Sequence, residues 1–135
     1  MIALVALDAG VSLPASAAGA NHARGTTVGI YERDFRIRTH GRPVAAGPVT
    51  LVVRNGGPDM HELLVFRDRG RRLPMRSDGL TVDEDAVESF KVGGLEPGEP
   101  GTRSLKLDLR PGRYIMFCNM AGHELAGMHA ELVVR

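Results

Sequence analysis

The chain has one cysteine, Cys118, and it lies in the stretch Tyr-Ile-Met-Phe-Cys-Asn-Met-Ala-Gly-His-Glu-Leu-Ala-Gly-Met, residues 114–128. His123 follows the cysteine after four intervening residues, and Met128 follows His123 after four more. A thiolate, an imidazole and a thioether therefore share one short loop between two strand-like segments. Cysteine and methionine sulfur with imidazole nitrogen are soft donors that suit copper. A trigonal set of two imidazoles and a thiolate, with a weak axial Met, marks copper that transfers electrons. The loop supplies only one of the two imidazoles.

His61 is the best placed of the other histidines, because it stands where a turn enters a strand that can pair beside the one ending in Cys118. With one early donor and three late ones, the fold itself must set the donor positions before any metal arrives. His22 lies in the N-terminal stretch and His40 in a Gly/Pro-flanked turn, without a supporting pattern. His129 adjoins Met128, but neighbours in a strand point to opposite faces, so its ring is expected to turn away. Met60, Met116 and Met120 read as packing or rim residues.

Taken singly, each of these residues has an ordinary explanation. A strand-end histidine can be a satisfied structural one, a lone cysteine a small buried hydrophobe, a methionine core packing. Their joint spacing, with Gly122 before the histidine and Gly127 before the methionine, favours a built site over coincidence.

At 135 residues the chain is long enough for one domain with a real core and no disulfide. Seventeen basic against sixteen acidic residues give a net charge of +1, which suggests neither nucleic acid nor an anionic membrane as partner. Met1 to Ala20 is apolar and rich in small residues, with Ala15-Ser16-Ala17-Ala18 near its end. It reads as an export leader or an N-terminal tail, although no Lys or Arg precedes the apolar run and Asp8 interrupts it. It is too short and broken to span a bilayer. The expected domain is 24–135, in the periplasm or outside the cell.

Short strands are expected over 27–31, 35–39, 47–55, 61–66, 104–110, 113–118 and 128–134. The clearest is 47–55, where Val49, Leu51 and Val53 alternate with Thr50, Val52 and Arg54. Asn55-Gly56-Gly57-Pro58-Asp59 and Arg110-Pro111-Gly112 are turn signals. Thr81-Val82-Asp83-Glu84 has the form of a capping box opening a short helix through about Ser89. The basic stretch 67–76 reads as a solvated loop and 95–101, rich in Gly, Pro and Glu, as a connection. Seven or so short strands, one short helix and no internal repeat imply an all-β antiparallel sandwich or barrel.

Residues 55–66 and 112–134 resemble the corresponding segments of the blue copper cupredoxins, the plastocyanin and azurin family, and the likeness in layout extends over about 26–135. It implies a Greek-key β-sandwich with one type 1 copper bound at one end by His61, Cys118, His123 and Met128. It further implies a non-enzymatic electron-transfer role, with a redox protein docking at the apolar patch around His123. A monomer is expected. The Cys-to-His gap resembles azurin and the His-to-Met gap plastocyanin, so the loop matches neither subtype. Where that family places an Asn after the first His ligand, this chain has Glu62, and Asn119 follows Cys118. A hydrogen bond from the Asn119 side-chain amide to the Glu62 carboxylate is the expected clasp. Three other uses of the same residues stay open: a copper carrier or store, a zinc hydrolase, and a cysteine nucleophile paired with His123.

Overall fold

A computed structural model describes residues 25–135; the leader reading of 1–20 lies outside them. Eight strands form two four-stranded sheets. One sheet is ordered β2-β1-β3-β6, from β1 (Thr26–Arg33), β2 (Arg36–Arg38), β3 (Gly47–Asn55) and β6 (Gly101–Leu109). The other is ordered β5-β4-β7-β8, from β5 (Lys91–Gly98), β4 (His61–Arg67), β7 (Gly112–Phe117) and β8 (His129–Val134). All strand pairs are antiparallel except β1 with β3. The chain changes sheets between β3 and β4, β5 and β6, and β6 and β7, which is a Greek-key sandwich.

Period-two alternation builds the core. Val28 and Ile30 of β1, Val49, Leu51 and Val53 of β3, and Tyr114 and Met116 of β7 point inward and pack against Leu63 and Val65 of β4. Each such aliphatic or aromatic side chain contributes about 1.5–3 kcal/mol by leaving water. The run Leu63-Leu64-Val65-Phe66 does not alternate because β4 is covered on both faces. Its outer residues Leu64 and Phe66 join Phe117, Val82 and Val87 in a second cluster under the 68–90 segment.

That segment differs from the expected solvated loop. Leu73 and Met75 pack into the second cluster, the Arg69 guanidinium lies over the Phe90 ring at 4.9 Å, and Arg67 donates to the Pro111 carbonyl at 3.0 Å. The helix α1 is shorter than expected, Glu84–Val87, and continues as a 3₁₀ turn, Glu88–Phe90. Its N-cap is Asp83 without a side-chain cap bond. The expected Thr81–Glu84 capping box does not form, because the Glu84 carboxylate is engaged by the Asn119 amide and by Lys91.

The largest departure is β5, part of which reads in sequence as a connection. Its glycines serve close approach rather than turning. A Cβ on Gly93 would meet Leu107 Cδ2 at 2.5 Å, and one on Gly94 would meet Leu64 Cδ2 at 2.9 Å. Pro97 is tolerated because β5 is an edge strand, where a missing N–H costs no ladder bond.

Candidate metal centre

Register brings the donors together. β4 and β7 pair with Leu64 opposite Phe117 and Val65 opposite Met116, so the first residues of β4 lie beside the residues that follow β7. His61 shares the inward parity of Leu63 and Val65, and Cys118 that of Tyr114 and Met116. The loop entering His61 is pinned by the buried Asn55, whose side-chain amide donates to the carbonyls of Asp59 (2.9 Å) and Gly98 (3.2 Å) while its Oδ1 accepts from Gly57 N–H at 2.7 Å. Arg103 on β6 donates to the His61 carbonyl at 2.9 Å, tying the same point to the opposite sheet.

The loop from Cys118 to Met128 is a chain of turns closed at its base. Cys118 N–H donates to Met128 O at 3.1 Å and Met128 N–H to His123 O at 2.9 Å. Gly122 and Gly127 take φ of +80° and +98°, left-handed conformations that cost glycine little. Those two residues let the loop fold back and bring His123 over the thiol.

The donor atoms of His61, Cys118 and His123 all lie within 4.8 Å of one another. Cys118 Sγ is 3.5 Å from His123 Nδ1 and 4.0 Å from His61 Nδ1. Bonds of about 2.3 Å to sulfur and about 2.0 Å to nitrogen, typical of a first-row ion, would set sulfur and nitrogen about 3.7 Å apart at 120°. The two observed separations straddle that value, so the three side chains fit a trigonal ion. Met128 is fully buried in the same core cluster as Cys118 and Leu63.

The electrostatics suit a cation. Burial pushes the Cys118 thiol up to about 11, against the pull of the backbone N–H groups of Glu62 and Met120 on its sulfur. The thiol is therefore protonated at neutral pH; a bound metal ion would displace that proton, and the two N–H groups would then stabilise the thiolate. Burial, and secondarily the proximity of His61, lowers His123, which favours the neutral imidazole. The neighbouring carboxyls of Glu32 and Glu62 are both raised to about 7, chiefly by burial. Both oxygens of Glu32 lack a hydrogen-bond partner among the described residues.

Of the other histidines, His129 is half-exposed and faces Glu124 at 3.3 Å, away from the thiol, and His40 accepts from Arg42 N–H in an exposed turn. His22 lies outside the described residues. The expected Asn119–Glu62 side-chain clasp is replaced. Asn119 Nδ2 donates to Glu84 Oε1 (2.9 Å) and Val82 O (3.1 Å), and its Oδ1 accepts from Val82 N–H (2.6 Å). Glu62 instead has the Asn119 backbone N–H nearby, which pulls its carboxyl down against the effect of burial.

Two residues of the β1–β2 turn also reach the site without any signal in the sequence. Asp34 Oδ1 lies 2.9 Å from His61 Nε2, and the Phe35 ring stands edge-on to His123 at 5.0 Å between centroids. An acidic and an aromatic residue at a turn look the same in sequence whether they face solvent or a site.

No protein-family model and no curated protein matches the sequence. Solved structures do match the fold. Rusticyanin from Thiobacillus ferrooxidans is 17% identical over 82% of this chain and 79% of its own, with a TM-score of 0.58. Reduced auracyanin from Roseiflexus castenholzii is 16% identical over 82% of this chain and 98% of its own, also with a TM-score of 0.58. Auracyanin B gives 17%, 82% and 88%, with a TM-score of 0.57. The chain has the cupredoxin fold, as its likeness to that family over 55–66 and 112–134 implies.

Proposed function

We propose that this chain is a small electron-transfer protein holding one type 1 copper ion, with His61, Cys118 and His123 as the three close donors and Met128 as the distant fourth. The observation that carries this reading is the convergence of two imidazole nitrogens and a thiol sulfur at trigonal spacing in a mostly buried pocket. Copper in such a soft set cycles between Cu(I) and Cu(II). The protein supplies the rest. β4 and the closed 118–128 loop fix the donor positions, two backbone N–H groups aim at the sulfur, and burial excludes water. A cage set by the fold rather than by the ion changes little between oxidation states.

The half-buried His123 is the route for the electron, and the surface around it is where a redox partner docks. Phe35 (43% exposed), Met60 (39%) and Leu125 (65%) supply apolar area at that end, joined by the exposed Ala121, Ala126 and Gly127. No helix among the described residues is long and apolar enough to cross a membrane. The leader-like Met1–Ala20 supports export to the periplasm or outside the cell.

The test is copper titration of the purified chain. One equivalent of Cu(II) should give an intense visible thiolate charge-transfer band that vanishes on reduction. Cys118→Ser should abolish the band with the far-ultraviolet dichroism unchanged, because a hydroxyl oxygen is a harder and weaker ligand. A band that persists in Cys118→Ser overturns the assignment, and rapid surrender of copper to a chelator would identify a carrier instead.

A further inference from the structure

Among the described residues, the contact between Asp34 and His61 is the one polar interaction that reaches a proposed donor ring on its far side. His61 is wholly buried, and its Nδ1 faces Cys118 while its Nε2 meets Asp34 Oδ1 at 2.9 Å. An ionised carboxylate can only accept, so Nε2 carries the proton and Nδ1 the lone pair. Among the described residues Asp34 has no other ion-pair partner, and its side chain is 23% exposed, so the charge is partly withdrawn from water and spent on this ring.

We infer that Asp34 is a positioning residue of the metal centre: across the β1–β2 turn it locks the His61 tautomer with Nδ1 toward Cys118 and, by its charge, strengthens that nitrogen as a donor. The inference rests on the copper reading above. A carboxylate on the outer nitrogen raises imidazole basicity and places negative charge near the ion. Both effects favour the more positive oxidation state, so Asp34 holds the reduction potential down. It also explains how an edge turn, 27 residues before His61, is coupled to the centre.

Two variants separate the parts of this role. Asp34→Asn keeps an acceptor oxygen without the charge, and Asp34→Ala removes both. Loss of such a partner typically costs 10–100-fold in metal affinity. If that loss falls on Cu(II) alone, the potential rises by about 60–120 mV, at 59 mV per tenfold for one electron. Both variants should shift upward, and copper-loaded Asp34→Ala should also show an altered electron paramagnetic resonance hyperfine splitting. In the copper-free protein, long-range nitrogen–proton NMR should find His61 protonated at Nε2, with the proton slow to exchange in wild type and Asn and fast in Ala. An unshifted potential in both variants, in a protein that is blue, overturns the role of Asp34 alone. A wild-type chain that takes up no copper overturns the copper reading. The ring experiment still decides the tautomer in that case, and an Nδ1-protonated His61 overturns the inference by itself.

Discussion

The two imidazoles of the centre are held in opposite ways. His61 begins a strand, is wholly buried, and is fixed at both ends, by Arg103 on its carbonyl and Asp34 on its ring. His123 rides on a loop of turns and is half-buried; besides the Cys118 sulfur, its ring meets the Phe35 and His61 rings, at 5.0 and 5.2 Å between centroids. One side of the site is anchored in both sheets and the other opens to the surface. In the proposed role, this division lets a single pocket hold its donors rigidly and still give a partner access.

Removing each ring tests the division most severely. His61→Gly should cost copper binding by more than tenfold and resist rescue, because added imidazole must enter a closed core. His123→Gly leaves a gap at the surface, so millimolar imidazole should restore the visible band. Equal rescue of both variants, followed by absorption titration, would show that the two sides are equally open.

A smaller effect should appear at the open side alone. Leu125, the most exposed large hydrophobic among the described residues, sits two positions from His123. Leu125→Glu places a costly charge in the proposed docking face and should slow electron exchange with a redox protein by about tenfold, equivalent to about 1.4 kcal/mol of barrier, while leaving the spectrum intact. A rate that stays the same would move the port elsewhere on the surface.

On the anchored side, Glu32 provides a pH test. Burial, opposed by Arg103, raises its carboxyl from 4.5 to about 7, and its two oxygens have no hydrogen-bond partner among the described residues. An acid raised by folding contributes full stability below its unfolded value and loses it as pH rises through the folded one. Stability of the copper-free protein should therefore fall between about pH 4.5 and about pH 7. Glu32→Gln should flatten that fall and stabilise the protein at pH 8 by about 1–3 kcal/mol, the usual cost of a buried unsatisfied group. Urea titrations at both pH values measure the difference. An unchanged slope in the variant would assign the pH dependence to Glu62, whose shift has the same sign.

The open side is the more legible in sequence. Cys118, His123 and Met128 are near neighbours in the chain, and Gly122 and Gly127 announce the turns that fold the loop. His61 is legible because strand alternation fixes which way it points. Asp34 and Phe35 are not, since their contacts depend on how the β1–β2 turn bends over the sandwich end, which no local pattern encodes. β5 is hidden for a related reason: Gly93, Gly94 and Gly98 look like a connection, yet they leave room for Leu107, Leu64 and the Arg103 guanidinium. Long-range close approach and turning use the same residue, and sequence alone does not separate them.

The smallest effect concerns how the open loop is moored at its start. Asn119 bonds to Glu84 through its side chain, and its backbone N–H lies near the Glu62 carboxyl. These two contacts predict different couplings. Glu84 is 29% exposed and also pairs with Lys91 at 3.2 Å, so its charged hydrogen bond to Asn119 is screened and worth about 1 kcal/mol rather than the fuller value of a buried one. Asn119→Ala and Glu84→Ala should each destabilise the copper-free protein, and the double variant should lose about 1 kcal/mol less than their sum, because the shared bond can be lost only once. Asn119→Ala with Glu62→Ala should be additive, since the alanine at 119 keeps the N–H that lies near Glu62. Denaturant unfolding of the two cycles measures both couplings. A coupled Glu62 pair beside an additive Glu84 pair would mean that the amide of Asn119 turns inward, mooring the loop to the anchored strand rather than to the helix that covers it.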